Sequence, residues 1–285
     1  WADPRLGHLV ERGRLEWPSA EPGERLSWWT RLRLALEFLL CVPERLAGRP
    51  DPTELRQFSH YAFSPHETEK ILQKAPRGGL NAVSLGLLFE TLAAWQQARK
   101  TRPGRLRLMM PTSMRSMSDV RLGAINRVSF AYLTRRRGAC LAGGDDFLDE
   151  LAAEIEFVRQ HRPDLTTVYA LGVARDLGIL HLLPRLPMTA STAALTYMGD
   201  WSDHRHYTMG EDGRFRMGNL IVEYVAAAPW GGGNARATLG VCRIGQRLSL
   251  GLHCDSEWLS PEDERELLER YVTAWRGWGG ILPTP

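Results

Sequence analysis

From Phe58 onward, stretches of period-two hydrophobicity keep trading places with stretches of helical period, and this intermixing restricts the fold more than any other feature. Leu106, Leu108 and Met110 alternate with Arg105, Arg107 and Met109, as in a strand with one face on a core. Pro111-Thr112-Ser113 reads as a turn, and a loop carrying Arg115 and the pair Asn126-Arg127 follows. A second alternating run then puts Val128, Phe130 and Tyr132 on one face and Ser129 and Ala131 on the other. Residues 192–198 and 219–227 read as further strands. Residues 236–243 and 247–254 read as a strand pair joined by Ile244-Gly245-Gln246.

Between these strands lie helices with readable ends. Ser64-Pro65-His66-Glu67 is a capping box with proline at the first helical position, and that helix runs to about Lys74. Asn81 is placed to cap the next, whose Val83, Leu87, Leu88, Leu92 and Trp95 keep helical spacing. A helix over 145–160 starts acidic, where the helix dipole favours negative charge, and an apolar one over 165–183 is ended by Pro184. Ser260-Pro261-Glu262-Asp263 opens the last, with Leu267, Leu268, Tyr271, Val272 and Trp275 as its buried stripe. About five or six strands and five helices in this order predict α/β layering around a largely buried mixed sheet.

Residues 1–55 differ in texture, with one apolar helix over about 25–48 and an RPDP linker at 49–52, so the expected division is 1–55 and 56–285. Trp28, Trp29 and the run at 34–42 are interrupted by Arg31, Arg33 and Glu37 and are too short to span a bilayer. Peripheral membrane contact is the less favoured reading; a helix packed on its own protein is preferred.

A net charge of +3 with scattered arginines gives no nucleic-acid face. Cys41, Cys140, Cys242 and Cys254 form no CxxC pair, so reduced thiols and a cytoplasmic setting are expected. WADPRLGHLV is no secretory signal, and without an initiator Met the chain is expected to be a piece of a longer or processed product. Gly231-Gly232-Gly233 precedes a strand, unlike a phosphate loop. Asp203, His204 and His206 sit in a charged loop read as solvated, and no metal site is expected.

Five motifs in sequence order resemble condensation-type acyltransferases, the chloramphenicol acetyltransferase-like superfamily that includes condensation domains and wax ester synthases. FSPHETEKILQKAPRGGLNAVSLGLLFETLAAW at 63–95 resembles the family's segment around Asn-Asp, although the pair here is Asn81-Ala82. MMPTSMRSMSDVRLGAINRVSF matches the strand ending in a "P.s.R" pattern and the "GN..s" that follows. Thr196-Tyr197-Met198-Gly199-Asp200 stands where the family has an "SN.G" strand end, and residues 245–275 match its closing strand and helix.

The resemblance implies two similar α/β lobes forming a V around a tunnel, with a catalytic His of an HHxxxD motif on the amino-terminal lobe. No His here is followed four residues later by Asp; His253, with Glu257, comes nearest. The chain is therefore expected to be the carboxy-terminal lobe plus the tail of the other, with about 150 residues, a domain's worth, lying elsewhere. No cofactor is expected to be permanently bound; acyl-CoA or a phosphopantetheine thioester would serve as co-substrate. The expected partners are the amino-terminal lobe, in the same or a separate chain, a small-molecule or lipid acceptor, and a carrier protein as one candidate donor. By the resemblance, Arg115 and Asn126 border the acyl donor; read from the residues alone, Arg115 pairs Asp119 and Asn126 satisfies a turn. Thr196 and Tyr197 would lie beside the reacting centre, where a hydroxyl donating to an oxyanion is worth ~3 kcal/mol; otherwise the Tyr197 ring fills the lobe interface. Gly199 closes that strand end, and Trp230 either bridges the lobes or simply packs. The alternative function is a non-catalytic scaffold that docks a partner chain.

Overall fold

A computed structural model of the chain describes residues 26–51, 58–75, 79–114, 128–178, 190–201, 208–210, 214–229 and 235–281. Two polar caps do what their residues require. The Ser64 hydroxyl accepts from Glu67 N while Glu67 reaches back to Ser64 N, opening α2 (Pro65–Lys74). Ser260 likewise accepts from Asp263 N at the start of α7 (Pro261–Trp278). Helix α3 (Leu80–Ala98) is buried almost all round, which is why its apolar residues barely form a stripe. Its N-cap is Gly79, at φ +80, and Asn81 lies one residue inside the helix rather than capping it.

Six strands form the main sheet in the order β1-β9-β8-β4-β2-β3. They are β1 (Phe58–Ala62), β2 (Arg105–Ser113), β3 (Val128–Arg136), β4 (Ala193–Asp200), β8 (Ala237–Ile244) and β9 (Arg247–Cys254). Strands β2, β4 and β8 run parallel at the centre; β1, β9 and β3 are antiparallel to their neighbours. Leu106 and Leu108, Ala193 and Leu195, Leu239 and Val241, and Leu250 and Leu252 share a core with α3 and with Tyr271 and Trp275 of α7. The Tyr271 hydroxyl donates to Ser84 O, locking α7 onto α3. The short α4 (Arg137–Ala142) and α5 (Asp145–His161) pack outside α3.

Several expectations change. The strand continues through Pro111-Thr112-Ser113, with no turn there. Strand β2 pairs β4 only at Leu108 and Met109, so on that side Pro111 interrupts no ladder. On β3 the expected alternation holds, with Ser129, Ala131 and Leu133 on the deeply buried face and Phe130 and Tyr132 half-buried on the opposite one. Helix α1 (Trp28–Leu40) stops well short of residue 48, and α6 (Leu165–Asp176) stops short of 183. Residues 179–189 lie outside the described set. Of 219–227 only β7 (Leu220–Val222) is a strand, joined to β5 (Thr208–Met209) and β6 (Phe215–Met217) in a separate small sheet.

The reason is the path of the chain after β7. Residues 223–229 cross the sheet face opposite the helices instead of pairing. Gly240 and Gly251 are paired across β8 and β9, and a Cβ on either would meet the Ala227 carbonyl at 1.9 and 2.4 Å. Thr238 Oγ1 donates to Pro229 O at 2.6 Å, and the Ser249 hydroxyl and Cys242 thiol donate to Val225 O. The other end of that face carries α1 and the extended segment after it. The Arg107 guanidinium, buried in β2, donates to Thr134 Oγ1, Ala190 O, Phe38 O and Cys41 O, and stacks on the Phe38 ring at 4.4 Å. Residues 41–51 are bonded into the rest: Glu44 N donates to Arg105 O and Arg49 N to Asp263 Oδ2. Among the described residues no helix is long and apolar enough to cross a membrane.

Candidate functional site

Because β2, β4 and β8 are parallel, their carboxyl ends lie along one edge of the sheet, the place where open α/β sheets bind ligands. The chain returns from α3 directly into β2, so the amino end of α3 reaches the same edge. Asn81 Nδ2 there donates weakly to Met110 Sδ at 3.6 Å, while its buried Oδ1 has no hydrogen-bond partner. The start of β3 closes the edge: Ser129 donates to the carboxylate of Asp164, buried at the start of α6 and held by Arg162 at 3.1 and 3.0 Å.

The end of β4 carries three of the residues that the sequence points to. Thr196 pairs in register with Gly240 and Tyr197 with Val241, after which the ladder slips before Asp200. Gly199 sits in that irregularity at φ +78, a left-handed conformation that favours glycine. By strand alternation Thr196 faces the side crossed by 223–229, and its buried Oγ1 has no hydrogen-bond partner. Tyr197 turns to the helix side and packs on the core.

Burial, reinforced by the Asp200 carboxylate, pushes the Tyr197 phenol above its ordinary pKa, against the opposing pull of Arg243. The hydroxyl therefore keeps its proton and stays a donor over the neutral range. Asp200 and Arg243 form an ion pair at 2.9 Å beside it. Arg243 also walls a groove of about 640 Å³ lined by His66, Thr68, Gln73 and Gln246.

Arg115, Asn126, Trp230, Asp203, His204 and His206 lie outside the described residues. The structure thus sets Thr196, Tyr197 and Gly199 at the end of β4, with the Asp200–Arg243 ion pair beside Tyr197 and Asn81 on the same edge of the sheet. Of the residues beyond the first three, Asn81 and Asp200 each stood in a sequence motif, while Arg243 carried no signal; the ion pair spans two strands that no local pattern joins. Among the described residues no three His, Cys, Asp or Glu side chains gather as a metal site.

No protein-family model matches the sequence, and no curated protein matches it. Solved structures do match in fold. The epimerization domain from the third module of tyrocidine synthetase B superposes with a TM-score of 0.53 at 10% identity, over 89% of this chain and 56% of that one. The trichothecene 15-O-acetyltransferase of Fusarium sporotrichioides gives 0.57 at 9% identity, over 87% and 52%. The wax ester synthase/diacylglycerol acyltransferase of Marinobacter aquaeolei VT8 gives 0.51 at 12% identity, over 91% and 61%. The chain thus spans little more than half the length of these proteins. Over that half it has the fold shared by condensation domains and chloramphenicol acetyltransferase-like acyltransferases, a mixed α/β sheet flanked by helices.

Proposed function

We propose that the chain is the carboxy-terminal lobe of a condensation-type acyltransferase, which moves an acyl group from a CoA or carrier-bound thioester to an alcohol or amine. The observation that carries this reading is the end of β4, where the protonated Tyr197 hydroxyl and the unpartnered Thr196 hydroxyl stand on the carboxyl edge of the sheet. In the proposed reaction the acceptor oxygen or nitrogen attacks the thioester carbonyl and gives up its proton to a base carried by the other lobe. The C–S bond then breaks, and the thiolate leaves and takes up a proton. What this chain supplies is a hydrogen-bond donor for the oxyanion of the tetrahedral intermediate, an effect worth ~3 kcal/mol when preorganised. The acyl donor arrives as co-substrate, and the acceptor is a small molecule or a lipid.

The test uses the natural full-length protein. Acyl-CoAs and carrier-bound thioesters are offered with alcohol and amine acceptors, and released thiol is followed. Acceptor-dependent release that falls about 100-fold in Tyr197→Phe, with an unchanged melting temperature, is the expected result. Release that never exceeds the uncatalysed rate with any acceptor would overturn the reading and leave the scaffold role.

A further inference from the structure

Near its carboxyl end, strand β4 carries one residue more than β8 beside it. Tyr197 lies opposite Val241, yet Asp200, three residues on, lies opposite Arg243, only two further along β8. Gly199, at φ +78, sits within this bulge. In an unbroken ladder Gly199 would stand opposite Arg243, and Asp200 would turn to the face crossed by 223–229. With the bulge, Tyr197, Asp200 and Arg243 share the helix side of the sheet. Bulges next to functional sites re-aim a side chain in this way.

The re-aimed carboxylate competes with the chemistry proposed for Tyr197. A hydrogen bond from a hydroxyl to a carboxylate is about twice as strong as one to a neutral oxygen. Asp200 is close enough to act on the Tyr197 phenol electrostatically. A phenol committed to Asp200 would have no proton to offer an oxyanion. Arg243 is placed to prevent that: its Nη1 holds Asp200 Oδ2 at 2.9 Å. Its Nε donates to Gly245 O at 3.1 Å, which fixes the guanidinium against the turn between β8 and β9. We infer that Arg243 is a positioning residue for acyl transfer: by holding Asp200 it leaves the Tyr197 hydroxyl free to donate to the substrate. The inference rests on the transferase reading above, and its first test needs no turnover.

In the natural full-length protein Tyr197 is replaced by 3-fluorotyrosine, and its fluorine resonance is followed against pH. Among the described residues, the ionisable groups that act on this phenol are Asp200, Cys242 and Arg243. Arg243→Met is expected to raise the midpoint by about one pH unit, through loss of the cation and release of the anion. Adding Asp200→Asn should bring it back to the parent value or below. Acceptor-dependent thiol release, measured without the fluorine, should follow: about tenfold slower in Arg243→Met, and within about threefold of the parent in the double variant. In a Tyr197→Phe background, Arg243→Met should slow release no further. A midpoint that does not move overturns the inference. So does a double variant as slow as Arg243→Met, the mark of an ion pair that only holds the strands together. Should Arg243→Met fail to fold, Arg243→Gln keeps a donor for Gly245 O and is read in the same way. Midpoints that move as expected in a protein showing no release would sink the transferase reading and leave the hold of Arg243 on the hydroxyl. Release that depends on Tyr197, with midpoints unmoved, would sink the role of Arg243 alone.

Discussion

Thr196 and Gly240 face each other across β4 and β8, and the two residues are constrained in opposite ways. Gly240 has no room: its Cβ would meet a backbone carbonyl at 1.9 Å, and backbone cannot rotate aside. Gly240→Ala is expected to destabilise by about 1–3 kcal/mol through overpacking. Gly277, inside α7 with nothing near its Cβ, should gain a few tenths to ~1 kcal/mol from the same substitution. Urea unfolding of the two variants side by side checks the contrast. Arg107 is constrained by chemistry. Its guanidinium serves three carbonyls and a hydroxyl, so Arg107→Met leaves buried acceptors unmet and should cost ~3 kcal/mol. Arg107→Lys should not restore it, because one ammonium cannot span that fork.

Glu264 adds a pH dependence. It is buried at the start of α7, accepting from Cys254 N, and burial pushes its pKa above the usual carboxylate range. Between its ordinary pKa and its folded one, the folded protein holds a proton that the unfolded chain has released. That contribution is present at low pH and is lost as pH rises through the folded pKa. Glu264→Gln should therefore gain stability relative to the parent as pH climbs from about 4.5 toward neutrality, measured by melting temperature across that range. A constant offset at every pH would contradict the assignment.

At the scale of elements, the capped helices were the most legible, because Ser64 and Ser260 announce a helix start through local chemistry. Removing either hydroxyl should cost about 1 kcal/mol, read by thermal unfolding of Ser64→Ala and Ser260→Ala. Period two marked the strands at 105–110 and 247–254, and buried runs marked those at 192–198 and 236–243, each within a few residues of the observed strand ends. What stayed hidden depends on contacts between distant segments. Residues 223–229 look like a strand continuation, yet they lie across Gly240 and Gly251, and neither glycine signals a crossing when read alone. Pro111 looks like a turn because the missing β4 partner beyond Met109 is a property of the sheet. Of the candidate site, Thr196, Tyr197, Gly199 and Asp200 stood in one motif and Asn81 in another; the pairing of Asp200 with Arg243 was hidden, since only the parallel register of β4 and β8 brings it together.

For the molecule as a whole, the antiparallel pairing of β1 with β9 joins Phe58 to His253, nearly the two ends of the described sheet. A ribosome releases β1 long before β9, the one strand with which β1 pairs among the described residues. Until the segment at 247–254 emerges, the exposed edge of 58–62 has nothing to zip against, and α7 has no finished sheet to close over. Over that interval the nascent polypeptide stays open to proteases and chaperones, and loss of 247–254 would unmake the beginning of the sheet as surely as its end.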